Sequence, residues 1–448
     1  MRLLLTHAYF LREDPKEQQI MRPYAPLGVL YLSSHLRARG FDVEIYDSTF
    51  GSREELFRIL REGPPSAIGI YGNLMTRANV LEIAAVACAA GWRVVLGGPE
   101  PANYPEEYLD AGAEVIVAGE GENALEQLMA ANFDADSFAR IEGIFFRDRT
   151  GAVVKTNPPR LIANLDDQPW PDRERIDIAQ YMRTWREHHG KASISVITAR
   201  GCPYQCNWCS HSVYGHTHRR RSPRSVADEV EWLLQRYQPD MLWMADDVFT
   251  IHPGWLFEYA AELKRRGISI PFECITRADR INQRVADTLR DLNCMRVWIG
   301  SESGSQRILD AMQRGVTVQQ VQSAVAMCRQ NGIQTGMFLM WGYEGEDIGD
   351  VEATIGHVRE CRPDIFFTTV SYPIKGTPYF NKVAKKLVSL KPWAATTDRE
   401  IRIQGRHSRR FYQYADELLK MEMSAQPDPN AILAARNGLH TTRAEVEA

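Results

Sequence analysis

The sequence has no long apolar run, no excess of charge of one sign and few cysteines. None of its 448 residues lies in a stretch that approaches the roughly 18 uninterrupted apolar residues of a membrane-spanning helix. The apolar part of residues 1–7 is too short for a secretory signal and is soon followed by Arg12, Glu13 and Asp14. A net charge of −4 provides no basic footprint for nucleic acid. We therefore expect a globular, cytoplasmic protein with no membrane span and no nucleic-acid partner.

Only eight cysteines are present, and three of them lie in one short segment. Cys202, Cys206 and Cys209 follow Gly201 with the spacing C-x3-C-x2-C. The other five are scattered without ligand spacing, which indicates packing residues and not a secreted disulfide framework. They are Cys88, Cys274, Cys294, Cys328 and Cys361.

Three thiolates this close together can hold one face of an iron–sulfur cluster. A [4Fe–4S] cluster normally takes four cysteine ligands, so one iron would be left to bind a small molecule. A structural zinc site would also need a fourth ligand, for which His211 is a candidate, since no second cysteine pair stands at a suitable distance. Cysteines buried only for packing would not explain three within eight residues. The spacing therefore predicts a reactive [4Fe–4S] site.

With Trp208 directly before its last cysteine, this loop resembles the signature of the radical S-adenosylmethionine (SAM) enzymes. The resemblance implies that Cys202, Cys206 and Cys209 hold the [4Fe–4S] cluster and that SAM chelates the open iron. It further implies that a low-potential donor such as flavodoxin or ferredoxin supplies an electron, which cleaves SAM to a 5′-deoxyadenosyl radical. A small-molecule substrate is the expected partner.

Residues 1–135 alternate short apolar runs with helical patterns, which is typical of βαβ units. The pattern predicts strands over 2–8, 42–46, 67–71, 93–96 and 114–117, and helices over 27–39, 53–61, 78–90 and 122–129. This alternation predicts a doubly wound parallel sheet, which binds ligands at the carboxyl ends of its strands.

Glycines stand at several of these strand ends. Gly72, Gly97 and Gly98 would let a bulky ligand approach the backbone, although each could equally serve a turn that needs positive φ. Residues 119–124 match the dinucleotide fingerprint G-x-G-x-x-A, but Glu120 and Glu122 would repel a pyrophosphate there. We therefore reject a dinucleotide site.

The whole segment resembles the cobalamin-binding domain that precedes the barrel in many radical SAM enzymes. The resemblance rests on 23–32, 42–47, 95–99 and 119–122, and it implies that Gly72, Gly97 and Gly98 contact cobalamin. The Asp-x-His-x-x-Gly motif of the methionine synthase type is missing. The protein is then expected either to bind cobalamin without a histidine ligand or to carry an empty domain. His7 and His35 are interpreted as ordinary surface or core residues.

The remaining chain divides into three parts. Residues 136–190 predict a linker with one short hairpin over 144–156, and 386–448 predict a helical C-terminal extension with a helix over 409–423 and a frayed or disordered tail from Gln426. Residues 191–385 predict a partial (β/α)6 TIM-like barrel, whose working residues lie at the carboxyl ends of its strands. Its predicted strands are 193–198, 241–244, 268–273, 296–300, 334–340 and 365–370.

Other strand ends carry the remaining cofactor candidates. The resemblance implies that Asp246 and Asp247 hold the SAM amine, with a helix cap as the alternative, because a carboxylate suits an ammonium group. Arg277 offers a guanidinium fork to the SAM carboxylate. Glu302 and Ser303 match the family's Gly-x-Glu-Ser-Gly segment and are expected to contact SAM.

Two further segments are weaker signals. Residues 341–346 resemble the family's Gly-x-Pro-Gly-Glu, but Glu344 stands where proline is usual. The basic run 216–221 predicts a solvated face, with an anionic substrate as the alternative.

These features favour an enzyme that methylates an unactivated carbon with cobalamin after radical cleavage of SAM. The alternative keeps the radical and omits methyl transfer, as in an oxidoreductase resembling the anaerobic Mg-protoporphyrin ester cyclase. A third hypothesis is a redox or cobalamin sensor that does not cleave SAM.

Overall fold

A computed structural model describes residues 1–447, which divide into two compact units. Unit 1 comprises Met1–Pro203, His211–Met241 and Trp393–Thr397. Unit 2 comprises Tyr204–Ser210, Leu242–Pro392 and the segment from Asp398. Cys202 belongs to unit 1, and Cys206 and Cys209 belong to unit 2.

Unit 1 is built from ten strands and eight helices within the described residues. The strands are β1 (Arg2–His7), β2 (Asp42–Tyr46), β3 (Ala67–Tyr71), β4 (Arg93–Gly97), β5 (Val115–Val117), β6 (Ile144–Arg147), β7 (Val153–Lys155), β8 (Ser193–Val196), β9 (Ala199–Arg200) and β10 (Arg219–Arg220). The helices are α1 (Pro15–Ile20), α2 (Leu27–Arg37), α3 (Arg53–Glu62), α4 (Arg77–Ala89), α5 (Pro105–Asp110), α6 (Glu122–Ala130), α7 (Ile178–His189) and α8 (Pro223–Arg236).

The main sheet of unit 1 confirms the predicted doubly wound architecture. Its order is β2-β1-β3-β4-β5-β6-β7, with β1 to β5 parallel and the β6–β7 hairpin added in antiparallel pairing. Leu4 faces one core with α3 and α4, whereas Leu3 and Leu5 face another with α2 and α6. This alternation follows from the two-residue period of a strand, and it buries both faces of the sheet.

The strand order also places a switch point in this sheet. β1 lies between β2 and β3. The connection after β1 therefore runs towards one edge of the sheet, and the connection after β3 runs towards the other. A crevice forms outside the carboxyl ends of the strands at such a point, and it is where doubly wound sheets bind their ligands.

Unit 2 is built from seven strands and eight helices within the described residues. The strands are β11 (Met241–Met244, whose first residue falls in unit 1), β12 (Phe272–Thr276), β13 (Cys294–Glu302), β14 (Gln334–Trp341), β15 (Ile365–Val370), β16 (Leu387–Val388) and β17 (Arg402–Ile403). The helices are α9 (Pro253–Arg266), α10 (Gln283–Asp291), α11 (Gln306–Ala311), α12 (Val318–Gln330), α13 (Ile348–Cys361), α14 (Pro378–Val383), α15 (Arg409–Glu422) and α16 (Pro429–Thr442).

Unit 2 contributes five parallel strands in the order β15-β14-β13-β12-β11 to a six-stranded sheet, which confirms its predicted α/β class. One predicted strand is misplaced, because β12 begins at Phe272 and not at residue 268. Gly267 ends α9 in a left-handed conformation, and Pro271 cannot donate to a ladder, so pairing starts after it.

The C-terminal part differs from the expected frayed tail. Residues after Asp428 form α16, which packs on α15, and the Asp428 side chain caps its first turn. Arg406 and Glu447 form a largely buried ion pair at 2.9 Å. Over residues 1–447, no helix is both long and apolar enough to cross a membrane.

Candidate functional site

The cysteine loop carries the predicted cluster ligands. Cys202 is half-buried, Cys206 is buried and Cys209 is exposed. Within residues 1–447, no three His, Cys, Asp or Glu side chains are gathered as metal ligands. The ligand assignment therefore stays a prediction from the spacing and from thiol chemistry.

Asn207 anchors the part of the loop that lies in unit 2. Its backbone N–H donates to the Met312 carbonyl at 3.1 Å, and its Nδ2 donates to the Ala311 carbonyl at 2.9 Å. Its Oδ1 accepts a hydrogen bond from the Tyr343 hydroxyl at 2.8 Å. Trp208 packs against the apolar cluster that contains Tyr343. These contacts hold the chain rigidly between Cys206 and Cys209.

Two buried guanidinium groups face the Cys206 sulfur. Arg314 Nη1 donates to Sγ at 3.6 Å, and Arg277 Nη1 does so at 3.8 Å. Arg314 is held by the Gly300 carbonyl at 2.9 Å. Arg277 is held by Asp279 at 2.9 Å. The Cys206 sulfur therefore accepts hydrogen bonds from two cationic donors.

Glu302 joins this group from the end of β13. Its Oε1 lies 3.8 Å from Arg314 Nε. Burial raises the pKa of Glu302, while the charges of Arg314 and Arg277 oppose that rise. The backbone has φ of 63° at a break in the β13–β14 register, a strained conformation for a residue other than glycine. The structure therefore brings Glu302, Arg277 and Cys206 together, as strand ends predicted.

Asp246 and Asp247 follow β11 with different exposure. Asp246 is 2% exposed, whereas Asp247 is an exposed residue. Partial desolvation and then the neighbouring Asp246 charge raise the pKa of Asp247. Of the two, Asp246 has the environment in which a carboxylate binds an ammonium group strongly, since it is shielded from water.

Ser303 makes its contacts inside unit 2. Its hydroxyl pairs with that of Thr354 at 3.1 Å and accepts the Ser305 N–H at 3.1 Å. The residue is fully buried. Its hydroxyl stabilises the turn after β13, and a contact between Ser303 and SAM stays a prediction.

A cavity of about 110 Å³ opens in unit 1 at the switch point of the sheet. Gly97 and Gly98 line it, together with apolar side chains such as Tyr71 and Leu125. A Cβ on Gly98, whose φ is 106°, would clash with the Gly72 carbonyl oxygen. Gly72 lies outside the lining, and a Cβ added to it would lie 3.2 Å from the Val80 side chain, so its contact with cobalamin stays a prediction.

One edge of this cavity is a buried ionic cluster. Arg200 donates to Glu122 at 2.7 Å and to Glu120 at 2.9 Å, and Arg219 donates to Glu120 at 2.8 Å. Burial opposes ionisation of Arg200, but the two carboxylates outweigh it and raise its pKa. Arg200 also lies 5.1 Å from the Tyr31 ring centre. The carboxylates that exclude a dinucleotide therefore bind arginine.

The basic run is not a solvated face. Arg221 is 4% exposed and pairs with the fully buried Glu229, which also binds Arg173 at 2.6 Å. Arg219 is neutralised by Glu120. The prediction of a solvated run is wrong for these two arginines. Arg219 lies in β10 and Arg221 directly follows it, and both side chains pair with carboxylates that are buried in the fold.

His7 and His35 are ordinary core histidines. His7 Nε2 lies 3.1 Å from Asp47, and His35 is fully buried between Gln168 and Glu126, at 2.9 Å from each. Within residues 1–447, the lining of the cavity includes no histidine. Both side chains are therefore hydrogen-bonded within the core.

Arg314, Asn207 and Arg200 are missed by sequence reasoning. Arg314 lies 108 residues beyond Cys206, with no local pattern to connect them. Asn207 stands inside the motif, at one of its variable positions. Arg200 directly precedes Gly201, and only the unexplained acidic pair in residues 119–124 hints at a cationic partner.

Comparison with known proteins agrees with both units. Residues 196–358 match the radical SAM superfamily, and residues 21–129 match the B12 binding domain. The chain thus carries a B12-binding domain followed by a radical SAM domain.

Individual relatives are distant. An uncharacterised methyltransferase of Pyrococcus horikoshii is 28% identical, over 83% of this chain and 81% of its own. The anaerobic magnesium-protoporphyrin IX monomethyl ester cyclase of Rubrivivax gelatinosus is 26% identical, over 86% and 71%. The radical SAM methyltransferase TsrM of Kitasatospora setae, solved with cobalamin and a [4Fe–4S] cluster, has a TM-score of 0.71 at 20% identity, over 89% and 80%. The last likeness concerns the fold.

Proposed function

We propose that the protein is a cobalamin-dependent radical SAM methyltransferase that acts on an unactivated carbon of a small molecule. The observation that carries the proposal is the Cys206 thiol, which lies beside two buried guanidinium groups at the carboxyl edge of a parallel sheet. The methyltransferase relative and the B12 binding domain support the choice of methyl transfer.

The cysteine loop and the strand ends of unit 2 suit a cluster and SAM. Cys202, Cys206 and Cys209 would hold the [4Fe–4S] cluster as thiolates. Asp246, with Asp247 beside it, would bind the ammonium group of SAM. Arg277 would face its carboxylate, and Glu302 and Ser303 would border the nucleoside. When bound, the cluster supplies the electron that cleaves SAM, and cobalamin supplies the methyl group.

The residues of unit 1 suit cobalamin. Gly97 and Gly98 line an apolar cavity at the switch point, where a side chain on Gly98 would not fit. Among residues 1–447, no histidine lines this cavity, so the lining contains no candidate for a lower ligand of the cobalt. We propose that Gly97 and Gly98 would border cobalamin, with part of the molecule entering this cavity through apolar contact, and that Gly72 would support the turn.

The cyclase relative supports a second candidate, a radical oxidoreductase without methyl transfer. Its similarity spans a share of this chain comparable to that of the methyltransferase relative. The two activities differ in whether the methyl group of SAM is consumed. A sensor would consume no SAM at all.

Products of SAM distinguish these candidates. The protein is reconstituted anaerobically with iron and sulfide, then incubated with reductant, cobalamin and SAM deuterated in its methyl group. A methyltransferase should form 5′-deoxyadenosine, S-adenosylhomocysteine and deuterium-labelled cobalamin. Deoxyadenosine without homocysteine product would refute methyl transfer, and the absence of both in an iron-loaded protein would favour a sensor. A Cys202→Ala/Cys206→Ala/Cys209→Ala variant should form no deoxyadenosine.

The setting of the reaction is also proposed. Residues 1–135 would bind cobalamin, 136–190 would connect, 191–385 would cleave SAM, and 386–448 would form a helical extension. A flavodoxin or ferredoxin would deliver the electron. A cytoplasmic location would keep the thiols reduced.

A further inference from the structure

We propose that Arg277 and Arg314 act as a pair of donors to the Cys206 sulfur that raises the reduction potential of the cluster. The inference rests on the proposed function, since it requires a cluster on Cys206. It assigns a role to Arg314, and it gives Arg277 a role besides that of a SAM ligand.

The geometry is that of a two-sided clamp. Nη1 of each arginine points to the same sulfur, at 3.8 Å for Arg277 and 3.6 Å for Arg314. The two side chains are 2% and 7% exposed. N–H groups at these distances are hydrogen-bond donors to sulfur, and they leave the other sulfur lone pairs for iron.

Each guanidinium is also held by groups other than the Cys206 sulfur. Arg277 Nη2 donates to the Arg314 carbonyl at 2.9 Å, and its guanidinium lies 3.6 Å from the Tyr204 ring centre. Arg314 Nη2 donates to the Gly300 carbonyl at 2.9 Å. Each guanidinium is therefore aimed before the cluster arrives, so little rearrangement is needed to make the two contacts.

The charges show why an anionic sulfur fits. Two buried cations stand together, and the nearby acids are Asp279 on Arg277 and Glu302 on Arg314. Asp279 is shared with Arg280, whose Nε lies 3.6 Å from it, so three guanidinium groups stand beside two carboxylates. A further negative group completes the balance, and a cluster-bound thiolate at Cys206 supplies it, because buried charges require partners.

This arrangement has a consequence for electron transfer. Reduction adds negative charge to the cluster, and hydrogen bonds to its sulfurs together with nearby cations stabilise the reduced form. Each arginine should therefore make the cluster easier to reduce. Removal of one should lower the ratio of reduced to oxidised cluster at a fixed potential by about tenfold, which corresponds to about 59 mV for one electron.

The test is a redox titration followed by electron paramagnetic resonance, without SAM. Arg277→Gln and Arg314→Gln are compared with the natural protein after iron is counted. Arg296→Gln is the control, since Arg296 pairs with Glu273 at 3.0 Å in the same sheet and is not placed at the cysteines. We expect both clamp variants to titrate at lower potential and the control to match the natural protein.

Two results would overturn the inference. One is a clamp variant with full iron content and an unchanged potential. If the glutamine variants take up too little iron, Arg277→Met and Arg314→Met, which keep most of the side-chain length without its charge or its donors, are titrated instead, and unchanged potentials in them also overturn the inference. Failure of the natural protein to hold iron would refute the proposed function itself, and the inference with it. Omission of SAM separates this role from SAM binding.

Discussion

The guanidinium of Arg200 donates to the Glu122 carboxylate at 2.7 Å, with side chains that are 5% exposed on both sides. Arg200 ends β9 immediately before Gly201 and Cys202, whereas Glu122 begins α6, which follows β5. Gly201 has φ of 85°, and a Cβ there would clash with the Thr217 carbonyl. The ion pair and this turn thus fix the path of the chain into the first cysteine.

Glu122→Gln should destabilise unit 1 because it leaves Arg200 with less compensating charge in a buried site. Loss of one partner of a buried ion pair typically costs about 3–5 kcal/mol. Glu120 remains 2.9 Å from Arg200, so the lower end of that range is expected. The change should appear as a lower urea midpoint by circular dichroism.

Glu174→Gln is the matched control, because Glu174 pairs with Arg236 at 3.0 Å with both side chains 57% exposed. An exposed pair contributes about 0–1 kcal/mol. Equal midpoints for the two variants would contradict a structural role for Glu122.

Gly98→Ala should weaken cobalamin binding strongly. The added methyl would clash with the Gly72 carbonyl at the rim of the cavity, and alanine at φ of 106° is strained. Strain of this kind costs about 1–3 kcal/mol, and the rim relieves it by moving. Because binding must return the rim to its original position, the affinity for cobalamin should fall by about tenfold or more. Retention of cobalamin absorbance after gel filtration measures it.

Gly40→Ala provides the control for backbone strain alone. Gly40 has φ of 85°, and nothing lies within 4 Å of an added Cβ. It should lose some stability yet bind cobalamin normally. If Gly98→Ala binds cobalamin as well as Gly40→Ala does, the corrin does not occupy this rim.

The sequence predicts what local chemistry dictates. The continuous apolar run Leu3–Leu5 predicts a strand that is buried on both faces. The spacing of Cys202, Cys206 and Cys209 predicts that the three thiols bind one cluster. Both patterns are contained in a few residues.

Partners distant in the chain escape such reasoning. Arg314 reaches Cys206 only because β13 and the turn after α11 bring it there, and no spacing encodes this. Glu120 and Glu122 are recognised as unsuited to a phosphate, but only the fold reveals Arg200 as their partner. The start of β12 is misplaced because Pro271 interrupts a pattern that otherwise continues from residue 268.

The stability of unit 2 should fall as pH rises from about 5 to 8, owing to Glu346. Burial raises its pKa to about 8, although the Gly342 N–H donates to it and opposes the rise. Between the unfolded value of 4.5 and about 8, the folded state binds a proton that the unfolded state has lost. Stability is therefore complete below the lower value and decreases by up to about 1.4 kcal/mol per pH unit above it.

Urea midpoints at pH 5, 6.5 and 8 check this behaviour. Glu346→Gln keeps an acceptor for the Gly342 N–H and cannot ionise, so its stability should exceed that of the natural protein increasingly as pH rises. Glu344→Gln removes a more exposed ion pair with Lys386 at 2.6 Å and should keep the natural slope. Parallel pH profiles for all three proteins would show that Glu346 ionises as it does in water.

Asp246→Asn should weaken SAM binding more than Asp247→Asn. Asp246 is 2% exposed, so water screens its attraction to an ammonium group only a little. Asp247 is exposed, so water weakens the same attraction there. A hydrogen bond between charged groups contributes about 1.5–3 kcal/mol, which predicts about a tenfold to hundredfold loss of affinity for Asp246→Asn. Equilibrium dialysis of SAM with the iron-loaded protein measures it, and equal iron content shows that the cluster is intact. If Asp247→Asn has the larger effect, Asp246 caps the loop after β11 and its neighbour holds the SAM amine.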